Sequence, residues 1–345
     1  MSEKDQRYDV VVIGGGAAGL SGALALARAR RSVLVIDAGS PRNAPASHVH
    51  NYLGREGTPP SELLAAGRAE AADYGAEIVR GHVVSAEKLA DGFRVVREDG
   101  STVHARRLLV TTGIVDELPP VEGLAERWGR EVLHCPYCHG WEVRDRTIGI
   151  LATSPMAVHH ALLWRQWTDG VVLFRHGQPD FSDEEYERFA ARGISVVDGE
   201  VAALEVTGDR MTGVRLAGGT VIPCEALVVQ PRFTARSAVL ESLGLVPTEL
   251  TMGDQLIGTY IAADPAGATD VPGVWVAGNV ANLMEQVVGA AAAGLKAAST
   301  INMDLVTEDT GRAVDARRAP FSAEAERQVT ERVLGDRRHG LQEMK

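Results

Sequence analysis

Val10-Val11-Val12-Ile13 runs straight into Gly14-Gly15-Gly16-Ala17-Ala18-Gly19, and a helix-like stretch follows to position 30. A second apolar strand at 32–36 ends at Asp37. Few folds accept that order. A continuous apolar strand is covered on both faces, as in the centre of a parallel sheet, and two parallel strands need a crossover that the helix supplies. In the turn, Gly14 permits the sharp reversal, Gly16 lets backbone approach a pyrophosphate, and Gly19 lets helix and strand pack closely. N–H groups at the helix start point at phosphate, and Asp37 stands where ribose hydroxyls can donate to it. A glycine turn without a ligand is the plainer alternative; the strand before it and the acid after it favour a dinucleotide.

At 345 residues the chain has room for two such domains of about 150 residues each. Its 45% hydrophobic and 23% charged content is that of a globular protein. A net charge of -11 argues against nucleic acid or an anionic membrane surface as a partner. Residues 1–9 lack the basic-then-apolar pattern of a signal peptide. The apolar stretch 10–27 is broken by five glycines, and reads as a strand entering a helix rather than a membrane span. A cytoplasmic location is expected.

Further along, Gly and Pro mark a long loop over 39–59, and a helix over 60–74 stops at Gly75. Strands at 93–96 and 102–104 flank the turn Glu98-Asp99-Gly100-Ser101 as a hairpin. Leu108-Leu109-Val110-Thr111-Thr112-Gly113 reads as another buried strand, and Leu118-Pro119-Pro120 as a stiff linker. Beyond it come a strand at 147–153 and a helix at 154–167, with Ser154 as N-cap and Pro155 at its first position. A strand at 171–174 precedes a helix opened by the capping box Ser182-Asp183-Glu184-Glu185. Short strands fill 201–229, turning at Gly208-Asp209 and Gly218-Gly219. A last strand and helix occupy 274–298, and a charged helix at 322–334 ends at Gly335.

The chemistry concentrates at His134-Cys135-Pro136-Tyr137-Cys138-His139-Gly140. Two thiols one turn apart can cycle between dithiol and disulfide, provided a helix start or a base lowers a thiol pKa. His139 is the first candidate base and His134 the second. Zinc competes, because His and Cys are both ligands. Neighbours such as His134 and Cys135 rarely point at one ion, though, and no second C-x-x-C completes a tetrahedral set. No metal site is expected. Cys224 reads as a small buried hydrophobe, His159 and His160 as mid-helix residues facing solvent or a polar contact, and Trp164 with Trp167 as a packing face. Asn43 and His50 follow the Asp37 strand with no assigned role.

The stretch Thr269-Asp270-Val271-Pro272-Gly273-Val274-Trp275-Val276-Ala277-Gly278-Asn279 resembles the second flavin-binding motif of two-dinucleotide-binding flavoproteins, and Thr111-Thr112-Gly113 resembles their A-T-G strand. With the C-x-x-C just before the second nucleotide-type unit, positions 8 to 305 resemble the low-molecular-weight thioredoxin reductases. Cys-Pro-Tyr-Cys-His-Gly, with His139 where those reductases carry aspartate, is similar to the dithiol oxidases that close disulfides in holomycin- and gliotoxin-type natural products. The resemblance implies an α/β fold of two Rossmann-like dinucleotide-binding domains, the FAD domain being discontinuous: 1–117 with 250–310, around a second domain at 118–249, then a helical tail at 311–345. It implies FAD contacts at Gly14, Gly16, Ala18, Gly19, Asp37, Arg42, Asn51, Val83, Gly113, Gly278, Asn279, Gln286 and Val287. Asn279 departs from the family's usual aspartate. It further implies that Cys138 faces the flavin, that Cys135 exchanges with substrate, and that the protein is a homodimer.

What the second unit lacks shapes the expected function. Where a reductase carries its glycine fingerprint for NADPH, this chain has Ile150-Leu151-Ala152-Thr153-Ser154-Pro155-Met156-Ala157. The β-carbons of Ala152 and Ser154 would crowd a pyrophosphate, and Pro155 has no N–H to offer it. The next strand ends in Arg175-His176, without an arginine pair for a 2′-phosphate. The expectation is a dithiol oxidase: a small-molecule dithiol reduces the Cys135–Cys138 pair, FAD receives the electrons and O2 removes them as H2O2. An NADPH-dependent disulfide reductase is the main alternative, and a redox or zinc sensor on an inactive scaffold the alternative of another class.

Overall fold

A computed structural model describes residues 7–318 and 323–334. The chain divides into two compact units, Met1–Ala298 and Ser299–Lys345. The first holds two large, mainly parallel sheets and two smaller ones among the described residues.

The first sheet is built on the opening strand, Arg7–Ile13, which pairs in parallel with Val33–Asp37 on one side and Thr102–Val110 on the other. Glu77–Arg80 extends it beyond Val33–Asp37. On the far side, Thr102–Val110 shares its length between two partners. Its first half pairs with the antiparallel hairpin strand Gly92–Arg97, and its second half with Val274–Val276 in parallel, Leu108 opposite Val274. A segment more than 160 residues downstream thus completes the sheet begun at residue 7. The core beneath it joins Val11, Ile13, Leu34, Ile36, Phe93, Leu108, Val110 and Val276. Ala235, Val239, Leu240 and Leu245, inside the stretch assigned to the second domain, pack into this same core.

The second sheet has the order Ser195–Val197, Val171–Phe174, Ile148–Leu151, Ala226–Val228, Val132–Leu133, all parallel. Trp164 and Phe189 from two helices cover one face. Met211 and Val214 of an antiparallel sheet, Val201–Thr207, Arg210–Leu216 and Val221–Pro223, cover the other. A fourth sheet, which the sequence pattern does not disclose, joins Ile114–Glu117 to Arg232–Ala235 and then to the hairpin Thr248–Met252 and Gln255–Tyr260.

Most elements lie where the pattern places them. The helix Pro60–Asp73 is followed by Gly75 at φ +92°, and Ser182 and Glu185 form the capping box. Asp209 and Gly208 both take positive φ at their hairpin turn. Three expectations need correction. The helix expected at 154–167 is shorter, Met156–Trp164, because Pro155 serves as the cap and the Ser154 hydroxyl takes the Met156 N–H. The strand before it covers only Ile148–Leu151. The final helix starts at Val287 and continues to Arg318, through the tail boundary at 310/311, since a helical Gly311 costs only about 1 kcal/mol. The second unit comprises the rest of this helix and the helix Ala323–Leu334; Ser322 and Gly335, its expected limits, lie outside the described residues, as do residues 1–6.

Candidate active site

Three glycine-bearing turns meet at the carboxyl ends of the parallel strands of the first sheet, where open α/β sheets hold their ligands. Gly14 has φ +109°, and a β-carbon there would lie 2.6 Å from the Thr111 carbonyl oxygen. The Thr111 hydroxyl donates to the Gly14 carbonyl at 2.9 Å, tying strand ends together. A β-carbon on Gly19 would come within 1.9 Å of the Gly14 carbonyl oxygen, so helix and turn touch only because it is absent. Nothing lies within 4 Å of the β-carbon positions of Gly16 and Gly113. Open space at Gly16 is what backbone approach to a pyrophosphate requires. Gly16 also caps the helix Ala17–Arg28 without any side-chain hydrogen bond, leaving first-turn N–H groups for an anion.

Asp37 sits at the end of its strand and accepts N–H groups from Gly15 and Gly39, both at 3.2 Å. Val83 starts the strand Val83–Leu89, at the opposite edge of the same sheet, and its side chain is buried in the core that also holds Ile36. Gly278, at φ +75°, packs on Ala18, whose β-carbon lies 3.1 Å from where its own would be. This brings the two separated halves of the glycine signature together. Asn279 donates from Nδ2 to the carbonyls of Asn282, Leu283 and Glu285 at 3.0–3.2 Å. It thereby ties together the turn that precedes Gln286 and Val287 at the start of the long helix, with bonds that an aspartate, having no N–H, could not donate. Arg42 makes two hydrogen bonds to Asp116, at 2.8 and 2.6 Å, and lies over the Phe233 ring.

The redox motif forms a single helical turn, Pro136–His139, capped by Cys135 in extended conformation. Pro136 suits the first position because its missing N–H is unneeded there. Cys135 and Cys138 form a disulfide with Cα atoms 5.2 Å apart. Gly140 closes the turn against Trp167, whose ring leaves no room for a β-carbon. Both His139 nitrogens are buried without a hydrogen-bond partner, and burial pulls the imidazole below its ordinary pKa while Glu142 opposes. His134 is buried edge-on to Phe233, and burial lowers it to about 4, with His160 and Arg42 adding to the effect. His160, expected to face solvent or a polar contact, is instead buried edge-on to His134, and burial, with His159 adding, lowers it to about 4. Trp164 and Cys224 are buried as expected.

The long loop after Asp37 reaches this turn. Asn51, at φ +60°, donates from Nδ2 to the Tyr137 carbonyl at 2.6 Å. His50 bridges Glu56 at 2.6 Å and Glu142 at 3.4 Å. The sequence reading leaves His50 unassigned and misses Glu56 and Glu142 altogether; an asparagine flanked by His50 and loop glycines was the sole hint, since Asn tolerates the left-handed region.

At the second turn, Ala152 and Ser154 are buried and the Ser154 hydroxyl is already committed to the Met156 N–H. Arg175 bonds Asp198 at 2.7 Å through Nε. A cavity of about 340 Å³ opens at the carboxyl ends of this sheet, and Gln255 reaches across to donate to the Thr153 carbonyl at 3.2 Å. Among the described residues no group of three or more His, Cys, Asp or Glu side chains is arranged to hold a metal, and no helix is long and apolar enough to cross a membrane.

The family described as pyridine nucleotide-disulphide oxidoreductase matches residues 8–294. Thioredoxin reductase tcpT of Claviceps purpurea is 31% identical over 88% of this chain and 96% of its own length. Thioredoxin reductase sirT of Leptosphaeria maculans is 32% identical over 88% and 95%. The crystal structure of HlmI superposes with a TM-score of 0.83 at 46% identity, covering 91% of this chain and 97% of that one.

Proposed function

We propose that this chain, a member of the pyridine nucleotide-disulphide oxidoreductase family and so a thiol/disulfide oxidoreductase of the thioredoxin reductase type, oxidises a small-molecule dithiol to its disulfide with O2 as acceptor. One observation carries the choice of oxidase over reductase. In the second domain Ala152 and Ser154 stand where glycines would let a pyrophosphate approach, Pro155 has no N–H to offer, the Met156 N–H is taken by the Ser154 hydroxyl, and Arg175 pairs with Asp198.

The first domain's residues fit FAD: open backbone at Gly16, uncapped helix N–H groups, the Asp37 carboxylate, and the joined Gly278 turn. When bound, the flavin supplies the two-electron relay from enzyme dithiol to O2, which leaves as H2O2. The remaining steps belong to the side chains. A substrate thiolate attacks Cys135 Sγ, the Cys135–Cys138 bond breaks, and Cys138 leaves as thiolate. The second substrate thiol attacks the sulfur now bonded to Cys135 and releases the product disulfide with a Cys135 thiol. A neutral imidazole takes the proton given up by the attacking substrate thiol and passes it to the Cys138 thiolate; His139, kept uncharged by burial, is the first candidate. His134, likewise kept uncharged by burial, is a lesser candidate for the same task. By the resemblance, the working form is a cytoplasmic homodimer.

The test is oxygen consumption by purified, air-saturated protein given dithiothreitol without any nicotinamide. One H2O2 should appear per dithiol oxidised, and Cys138→Ser should lower the rate at least 100-fold, in line with loss of a covalent catalyst. Turnover that requires NADPH and a thioredoxin-like protein would establish the reductase instead. A colourless protein that binds zinc would establish the sensor.

A further inference from the structure

We infer that Glu142, held in place by His50, passes protons between the buried His139 imidazole and solvent. This rests on the dithiol-oxidase reading above, in which His139 is the first candidate base, and adds the route its protons take. Oxidising a dithiol to a disulfide yields two electrons and two protons. Near neutral pH one proton stays with the electron pair on the relay; the other leaves the site, and one returns as O2 becomes H2O2.

His139 has no way out of its own. Both ring nitrogens are buried without a hydrogen-bond partner. The charged groups facing the ring are Glu142, three residues further along the chain, and His50, from the loop after the Asp37 strand. Burial, with His50 adding, works against a charged ring, whereas Glu142 works for it, so this carboxylate favours the protonated imidazole that each transfer creates. The Glu142 side chain is 39% exposed and so also meets water. His50 holds it: Nε2 lies 3.4 Å from a Glu142 carboxylate oxygen, and Nδ1 lies 2.6 Å from Glu56. Asn51, next in the loop, donates its N–H to Glu56 at 2.8 Å and its Nδ2 to the Tyr137 carbonyl at 2.6 Å. The loop is thus fixed to the redox turn on both sides of Cys138.

A surface ion pair is ordinary and needs no function to explain it. Here one end of the network faces a buried base that has no partner, and the other reaches water through Glu56, whose side chain is 63% exposed. His50 and the Asn51 N–H hold the Glu56 carboxyl below the usual carboxylate range, so it stays charged and keeps the His50 ring in place between the two carboxylates. Proton transfer needs two groups within hydrogen-bond reach or one water apart. Among the described residues, Glu142 is the carboxylate that faces His139.

The test reads flavin reduction and proton exchange separately, on the holoenzyme. In anaerobic stopped flow with dithiothreitol and dilute buffer, Glu142→Gln should slow reduction about tenfold, part of the roughly 100-fold or more that acid–base catalysis contributes. Added imidazole, a mobile proton carrier, should restore the rate. Glu142→Asp, which keeps a carboxylate, should retain most of it, and His50→Gln should lose less than Glu142→Gln. Exchange of the His139 ring N–H with water is followed by NMR in protein carrying isotope-labelled histidine, with no turnover required. It should be slower in Glu142→Gln than in wild type, whereas a turn merely loosened by the substitution would exchange faster. Unchanged reduction in Glu142→Gln, a loss that imidazole does not restore, or faster exchange would each overturn the route. Slower exchange in a protein that no dithiol reduces would uphold the route while refuting the oxidase reading.

Discussion

His134 and His160 are buried imidazoles in one cluster, both lowered to about 4 by burial. Unfolded, each titrates near 6.5, so between about 4 and 6.5 the unfolded chain binds more protons than the folded one, and stability rises with pH across that window. The melting temperature should therefore fall steadily as pH drops from 7 to 4. His160→Phe should flatten that slope; an unchanged slope contradicts the assignment. Asn279 gives a second residue-scale prediction. Its two amide N–H groups, shared among three carbonyls, cannot be replaced by a carboxylate, so Asn279→Asp should cost about 1–3 kcal/mol in denaturant unfolding, at about 0.5–1.5 kcal/mol per N–H lost. The aspartate variant matching wild type would show that this turn is held by something else. The sequence shows the Asn279 departure but not its purpose, because the acceptors lie three to six residues on, in a turn without periodicity.

Elements were legible to the degree that a local pattern specified them. The strand–glycine–helix unit at 7–37, the capping box at Ser182 and the redox turn all state their structure within a few residues. The sheet joining Ile114–Glu117, Arg232–Ala235 and the hairpin Thr248–Tyr260 was not legible, since its strands are short and the pairing of Ile114–Glu117 with Arg232–Ala235 spans more than 100 residues. The second glycine turn was read correctly as lacking two glycines, yet its shortened helix was not, because Pro155 can cap a helix as well as begin one. The same element yields a prediction. Ala152→Gly with Ser154→Gly should not create rapid NADPH oxidation, since Pro155 still lacks an N–H and Arg175 remains on Asp198. NADPH bleaching the double variant at micromolar concentrations would show those two side chains to be the sole obstacle. Trp164, fully buried against the second sheet, should cost about 3–5 kcal/mol as Trp164→Ala, read from urea unfolding.

On the scale of the first unit, the chain returns twice to its own beginning. Val274–Val276 completes the opening sheet, and Asn51 reaches from the Asp37 loop to the redox turn. The first closure sets the Gly278 turn against the helix that follows Gly14, the second ties the loop after Asp37 to the redox turn, and at the second sheet Gln255 reaches across to the Thr153 carbonyl. On the proposed function, electrons enter from thiols and the nicotinamide route stays idle. The direct measurement is anaerobic stopped-flow reduction of the purified yellow protein, followed at the flavin absorbance, with dithiothreitol in one syringe and NADPH in another at equal concentrations. The account predicts full bleaching by the dithiol, abolished in Cys138→Ser, and reduction by NADPH at least 100-fold slower. Fast bleaching by NADPH that survives Cys138→Ser would contradict it.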